Sequence, residues 1–132
     1  MSLQFKKLHQ NFGVEIINFN LSKNLNNNSY KEILFAFNEY GILLFRSQNM
    51  SIENQVIFGR KFGKVLIHAV NQNHAEGHPE VYVLSNLDDK GNPSGKHPDQ
   101  GSLYWHTDGS WRKNTGQATI MVADIIPSKG GE

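Results

Sequence analysis

The 132-residue chain contains no cysteine. That excludes disulfide frameworks, thiolate zinc sites and a cysteine nucleophile, and it suits a cytoplasmic protein. A dominant charge is also missing: 13 Lys and Arg stand against 12 Asp and Glu, for a formal net charge of +1. The basic residues are scattered, with no stripe interleaved with aromatics, so nucleic acid is not an expected partner. Long apolar runs are absent as well. The densest, Ile42 to Phe45, is far too short to span a membrane, and the lysines of Met1 to Gln10 are not followed by the apolar stretch of a signal peptide. What is left is an ordinary globular composition, 38% hydrophobic and 19% charged. It allows one small domain with a modest core, or part of a larger one.

Along the chain, Val14-Glu15-Ile16-Ile17 predicts a short strand just after Gly13. An asparagine-rich loop, Asn24 to Asn28, precedes a helix expected to open at Ser29, with Ser29 and Glu32 as a capping box. Tyr30, Ile33, Leu34 and Phe37 give that helix one apolar stripe, and Gly41 stops it. Ile42 to Phe45 reads as a fully buried strand ending at Arg46. A second helix is expected from Ser51, as N-cap, to Gly63. Val65-Leu66-Ile67 and Val81 to Leu84 predict strands, with a polar loop from Asn71 to Pro79 between them. Asp88 to Gly101 is a long loop punctuated by glycine and proline, a length often seen in functional lids. Leu103 to Trp111 then reads as a strand, and the alternation of Ala118, Ile120 and Val122 within Gln117 to Ile126 as another. Helices among strands come first and strands follow, which implies an α+β entry region leading into a β core. The last two strands begin a sheet that nothing after Glu132 closes, so the chain reads as the front of a larger domain.

A strand at 103–111 would place His106 and Asp108 on one side of the sheet, and Trp105 and Thr107 on the other. One imidazole and one carboxylate side by side are two thirds of a facial 2-His-1-carboxylate site for non-heme iron. The spacing alone is weak. Four of the six histidines have an acidic residue two positions on: His74/Glu76, His78/Glu80, His97/Asp99 and His106/Asp108. Chance predicts roughly half an occurrence. The pairs at 74, 78 and 97 fall among glycines and prolines and read as solvated loop, and His9 has no partner. His106/Asp108 differs in its aromatic flank, Tyr104, Trp105 and Trp111. Such a strand should be at least half buried, and burying an ionised Asp is costly unless something pairs with it. On these grounds a structural His–Asp hydrogen bond and a metal pair are equally favoured. Zinc would need a third ligand at zinc-like spacing, and none is near.

Trp105-His106-Thr107-Asp108, followed by Pro127-Ser128-Lys129-Gly130-Gly131-Glu132, resembles the taurine dioxygenase family of Fe(II)- and 2-oxoglutarate-dependent oxygenases. Further matches are Gly13-Val14-Glu15-Ile16, Gly41 to Arg46, Gln55 to Gly63, His68 and His74-Ala75-Glu76-Gly77. They run in order over nearly the whole chain, which is far more specific than the His-x-Asp pair.

The resemblance implies an N-terminal α/β region leading into an incomplete double-stranded β-helix, or jelly roll. Residues 1–132 would be the N-terminal part of a single oxygenase catalytic domain. His106 and Asp108 would be two of three iron ligands, leaving positions for bidentate 2-oxoglutarate and O2. A distal histidine ligand, an arginine for 2-oxoglutarate and a threonine contact are expected beyond Glu132, so the chain alone would be inactive. The expected reaction is hydroxylation of a small anionic or zwitterionic substrate, of the taurine or sulfonate type or related, coupled to decarboxylation of 2-oxoglutarate. His68 corresponds to a substrate contact, though a core histidine at a strand end is an equal reading. Asn71 stands where the family has tyrosine and Ser102 where it has asparagine, and both departures weigh against taurine itself. Trp111 holds the place of an aromatic pocket wall or of plain core. A homo-oligomer is compatible with all of this. The competing reading is a non-catalytic β-sandwich fragment in which His106 and Asp108 form a structural pair.

Overall fold

The computed structural model describes residues 3–69, 71–95 and 104–129. The chain divides into two compact units, Met1–Lys61 and Phe62–Glu132.

The first unit is built on a three-stranded sheet in the order β1 (Gln4–Lys7), β2 (Val14–Ile17), β3 (Leu43–Leu44). β1 runs antiparallel to β2, with Gln4 opposite Ile17 and Lys7 opposite Val14, and β3 runs parallel to β2, with Val14 opposite Leu43. The parallel pair is joined by helices α1 (Leu21–Asn24) and α2 (Asn27–Tyr40), as a parallel connection requires a crossover. β1 was not anticipated, because Gln4–Lys7 is exposed throughout and carries no apolar alternation.

β2 follows the expected register. Val14 and Ile16 are buried and alternate with the half-buried Glu15 and Ile17, as a period-two strand demands. α2 buries Ile33 and Ala36. Each fully buried aliphatic side chain is worth about 1.5–3 kcal/mol relative to exposure. Gly13 enters β2 with φ +77°, and its N–H donates to the Tyr40 carbonyl at 2.9 Å. That backbone conformation costs glycine little and other residues more.

The start of α2 corrects the capping prediction. Its N-cap is Asn26, whose side chain accepts from the N–H groups of Asn28 and Ser29 at 2.9 and 3.0 Å. Ser29 Oγ accepts in return from the Asn26 N–H at 2.8 Å. Asparagine caps as well as serine does, so the box forms one turn earlier than Ser29/Glu32. Glu32 instead accepts from the Leu3 N–H at 2.7 Å. Asn26 thus gives the asparagine-rich tract a capping role, and Asn20, ahead of the tract, caps α1 with its side chain accepting from the Lys23 N–H at 3.0 Å. Gly41 ends α2 with φ +72°, as expected, its N–H donating to the Phe37 carbonyl.

β3 is shorter than predicted and half-buried, with Ile42 half exposed. α3 (Ile52–Lys61) begins after Ser51, whose Oγ accepts from the Asn54 N–H at 3.2 Å, so this N-cap stands. Phe45 bridges Phe19 and Phe58 with ring centroids 6.4 and 6.3 Å away, the latter edge-on, and Val56 and Phe58 are the buried side of α3.

Among the described residues of the second unit the regular structure is one hairpin, β4 (His74–Ala75) and β5 (His78–Tyr82). The expected loop over Asn71 to Pro79 is thus half wrong. Glu76-Gly77 forms a two-residue connection with Gly77 at φ +73°, the position where a tight hairpin favours glycine. The register shifts between His74 and Ala75, and this irregular ladder accommodates Pro79, which has no N–H to donate. The strand expected at Val81 to Leu84 begins three residues earlier and stops at Tyr82.

Residues 65–67, 104–111 and 117–126 form no strand. Extended backbone becomes a strand only when a neighbour takes its N–H and C=O groups, and among the described residues none does so there. The alternation survives without the ladder: Ala118, Ile120 and Val122 are half-buried while Gln117, Thr119 and Met121 are exposed. The long loop opens with a tight turn, in which Asp88 Oδ1 accepts from the Lys90 and Asn92 N–H groups at 2.9 and 2.8 Å. No described helix is long and apolar enough to cross a membrane.

Candidate functional site

His106 and Asp108 do come together, but on a turn. The chain from Tyr104 to Thr107 is irregular and leads into a turn at Asp108–Trp111, with Gly109 at φ +62° and the Arg112 N–H donating to the Gly109 carbonyl at 2.9 Å. His106 Nε2 lies 3.4 Å from Asp108 Oδ1. His106 Nδ1 is 2.7 Å from the Tyr104 carbonyl oxygen. A carbonyl only accepts, so Nδ1 carries the hydrogen. In the neutral ring Nε2 then presents a lone pair to a carboxylate oxygen. Two acceptors at that distance call for a shared proton or cation between them.

The donor set fits a metal. Ligand atoms about 2.1 Å from a metal and at right angles to each other stand about 3 Å apart, close to the observed separation. Nδ1 held by a backbone carbonyl is the usual way of fixing the tautomer of a ligating histidine. The second carboxylate oxygen, Asp108 Oδ2, accepts from Thr119 Oγ1 at 3.5 Å. Among the described residues no group of three or more His, Cys, Asp or Glu side chains gathers to hold a metal ion.

The expected burial is not observed. The His106 and Asp108 side chains are 48% and 70% exposed. Tyr104, Trp105 and Trp111 are also exposed, because no sheet among the described residues packs on this segment. The desolvation penalty that made an unpaired Asp108 costly therefore does not apply. An exposed ion pair stabilises a fold little.

His68 is exposed, so it is not a core histidine. Its ring faces Tyr82 with centroids 4.5 Å apart, and its carbonyl accepts from His74 Nε2 at 3.0 Å. Tyr82 Oη in turn accepts from Asn73 Nδ2 at 2.9 Å. Tyr82, His74 and Asn73 are the residues that sequence reasoning missed. The signal was available: Glu76-Gly77 between two short β-prone segments marks a hairpin that brings 73–74 beside 82. Asn71 is exposed and its carbonyl accepts from the His74 N–H at 3.2 Å. Trp111 is exposed beneath the Arg112 guanidinium, whose carbon lies 4.7 Å from the ring centroid, so it is not plain core. Ser102 lies outside the described residues, as do His97, Asp99 and 130–132. An open depression of ≈ 450 Å³ beside the hairpin is lined by residues that include Asn73, His74, Glu76 and Ser85. Neither His106 nor Asp108 lines it.

Known proteins share this arrangement of sequence. Over 125 residues the chain is 24% identical to the (S)-phenoxypropionate/alpha-ketoglutarate-dioxygenase of Sphingobium herbicidovorans, covering 95% of this chain and 42% of that one. It is 24% identical over 140 residues to the alpha-ketoglutarate-dependent 2,4-dichlorophenoxyacetate dioxygenase of Cupriavidus pinatubonensis, covering 100% of this chain and 49% of the relative. To pentalenolactone F synthase of Streptomyces arenae it is 31% identical, over 76% of this chain and 34% of that protein. The crystal structure of a taurine dioxygenase from Burkholderia xenovorans superposes with a TM-score of 0.56 at 34% identity, over 62% of this chain and 29% of the other. The chain thus spans less than half the length of these relatives. The pattern that describes the taurine catabolism dioxygenase TauD, TfdA family matches residues 4–132, and the chain belongs to that family.

Proposed function

We propose that this chain supplies the N-terminal part of the catalytic domain of an Fe(II)- and 2-oxoglutarate-dependent dioxygenase that hydroxylates a small anionic or zwitterionic organic substrate. The observation that carries the reading is the His106 Nε2–Asp108 Oδ1 pair at 3.4 Å, with Nδ1 tied to the Tyr104 carbonyl. His106 and Asp108 would hold the iron. When bound, the iron supplies the redox chemistry that couples decarboxylation of 2-oxoglutarate to oxygen insertion. The chain's own residues do the positioning. The Tyr104 carbonyl fixes the imidazole, and Thr119 steers Asp108 so that Oδ1 faces Nε2.

His68, on the ring of Tyr82, offers an imidazole donor to an anionic substrate group. Trp111 offers an aromatic wall, and Asn71 and Ser102 would complete the substrate contacts. The reading requires a third ligand, an arginine for 2-oxoglutarate and jelly-roll partners for 104–111 and 117–126, and relatives more than twice as long as the matched stretch leave room for them. Relatives named for phenoxyalkanoate and for 2,4-dichlorophenoxyacetate oxidation support a carboxylate substrate as readily as a sulfonate. The even charge and the lack of cysteine suit a cytoplasmic enzyme working on a small molecule.

The test is anaerobic addition of Fe(II) and 2-oxoglutarate to the full-length protein. A visible charge-transfer band is expected, and His106→Ala should abolish it. A band that survives that substitution rules out the ligand assignment.

A further inference from the structure

We infer that Arg112 is a positioning residue that couples the turn bearing His106 and Asp108 to the backbone that presents His68. The side chain can be followed atom by atom. It leaves the turn closed by the Arg112 N–H to Gly109 carbonyl bond. Its Cδ passes 3.6 Å from where a side chain on Gly109 would begin. The guanidinium lies over the Trp111 ring at 4.7 Å, and Nη2 donates to the Ile67 carbonyl at 3.5 Å. Arg112 is half-buried, in contrast to the exposed residues on either side of it.

The segment it reaches needs such an anchor. Residues 65–68 belong to no strand, so ladder hydrogen bonds do not hold them. Two consecutive carbonyls are instead taken by side chains. Arg112 donates to that of Ile67, and His74 Nε2 donates to that of His68. The imidazole of His68 is then set against Tyr82 at 4.5 Å. A planar, always charged guanidinium can stack on an indole and donate in its plane at the same time, which a lysine ammonium cannot. The contact to Ile67 is long but charge-assisted. Arg112 thus joins the two places where the proposed reaction needs fixed geometry. Its functional meaning rests on reading His68 as a substrate contact and His106 and Asp108 as ligands.

The test uses metal-free full-length protein labelled at the histidine ring Cε1, followed by NMR. The Tyr82 ring displaces the His68 signal, and Tyr82→Leu identifies it by removing that displacement. In Arg112→Ala the His68 signal should lose most of its displacement, while the His9 and His78 signals stay in place. Arg112→Lys, which keeps a cationic donor, should recover part of it. A His68 signal unmoved in folded Arg112→Ala overturns the coupling. Should Arg112→Ala not fold, Arg112→Met carries the same test: a His68 signal that loses its displacement supports the coupling, and one that stays at its parent position overturns it. Because no metal is present, these shifts are independent of the iron assignment. A charge-transfer band together with an unmoved His68 would remove only the role of Arg112, whereas a moved His68 without a band would remove only the iron reading.

Discussion

Thr119 Oγ1 approaches Asp108 Oδ2 to 3.5 Å, on the far side of the carboxylate from the oxygen that faces His106 Nε2. This places a neutral donor behind a candidate ligand, where it orients the carboxylate without competing for Oδ1. Such outer partners commonly tune metal sites, and their loss typically costs about 10–100-fold in affinity or activity.

Thr119→Val in the full-length protein should therefore weaken Mn(II) binding by about tenfold, the low end of that range because the hydrogen bond is long. Thr119→Ser, which keeps the hydroxyl, should restore it. Calorimetric titration of the metal-free protein with Mn(II) measures both. Equal affinity in Thr119→Val and the parent would remove Thr119 from the site.

Asn26→Ala should destabilise the protein by about 1 kcal/mol, since the cap supplies a side-chain acceptor to the free amides of Asn28 and Ser29. Glu32→Gln should leave the cap of α2 unaffected, because Glu32 serves the Leu3 amide instead. Urea denaturation followed by circular dichroism separates the two. A larger loss for Glu32→Gln than for Asn26→Ala would restore the capping box that the serine–glutamate spacing suggested.

Ile33→Ala should cost about 2–5 kcal/mol, the range for emptying a large aliphatic site in a packed core. Ile33 and Val14 are both fully buried. Phe35→Ala, two residues along on the exposed side of α2, should change stability by less than about 0.5 kcal/mol. The same denaturation experiment decides whether the apolar stripe or the aromatic residue holds the helix down.

What could be read from the sequence divides along a physical line. β2, α2, the stop at Gly41 and the Ser51 cap depend on local pattern and local chemistry, and they stand with small shifts. The strands expected at 65–67, 103–111 and 117–126 depend on partners distant in sequence, and no apolar alternation can supply a partner. The hairpin signal at Glu76-Gly77 is outweighed in the sequence by Pro79, which argues against a strand until the irregular register around it is known. His106 and Asp108 lie together as expected, but for a different reason. A strand was to place them side by side, whereas a turn through Gly109 and the Tyr104 carbonyl does so.

Asp88 gives the molecule a pH-dependent turn. Its carboxylate accepts from the backbone of Asn92 and of Lys90, and the Asn92 bond is the main cause that holds its pKa below the usual 3.8, against the opposing effect of desolvation. A carboxyl whose folded pKa is depressed adds stability that is fully present above its unfolded value and is lost as pH falls through the folded one. The turn should thus be intact at neutral pH and loosen only in acid, below the ordinary carboxylate range. Hydrogen exchange at the Lys90 and Asn92 amides, compared with an amide of α2, reads the effect directly. Asp88→Asn keeps an acceptor but removes the charge, so it should weaken protection of both amides at pH 7 and abolish the local acid dependence. Protection that is equal at pH 7 and in acid in the parent protein would show that the turn is held by the Asp88 and Gly91 backbone bonds alone.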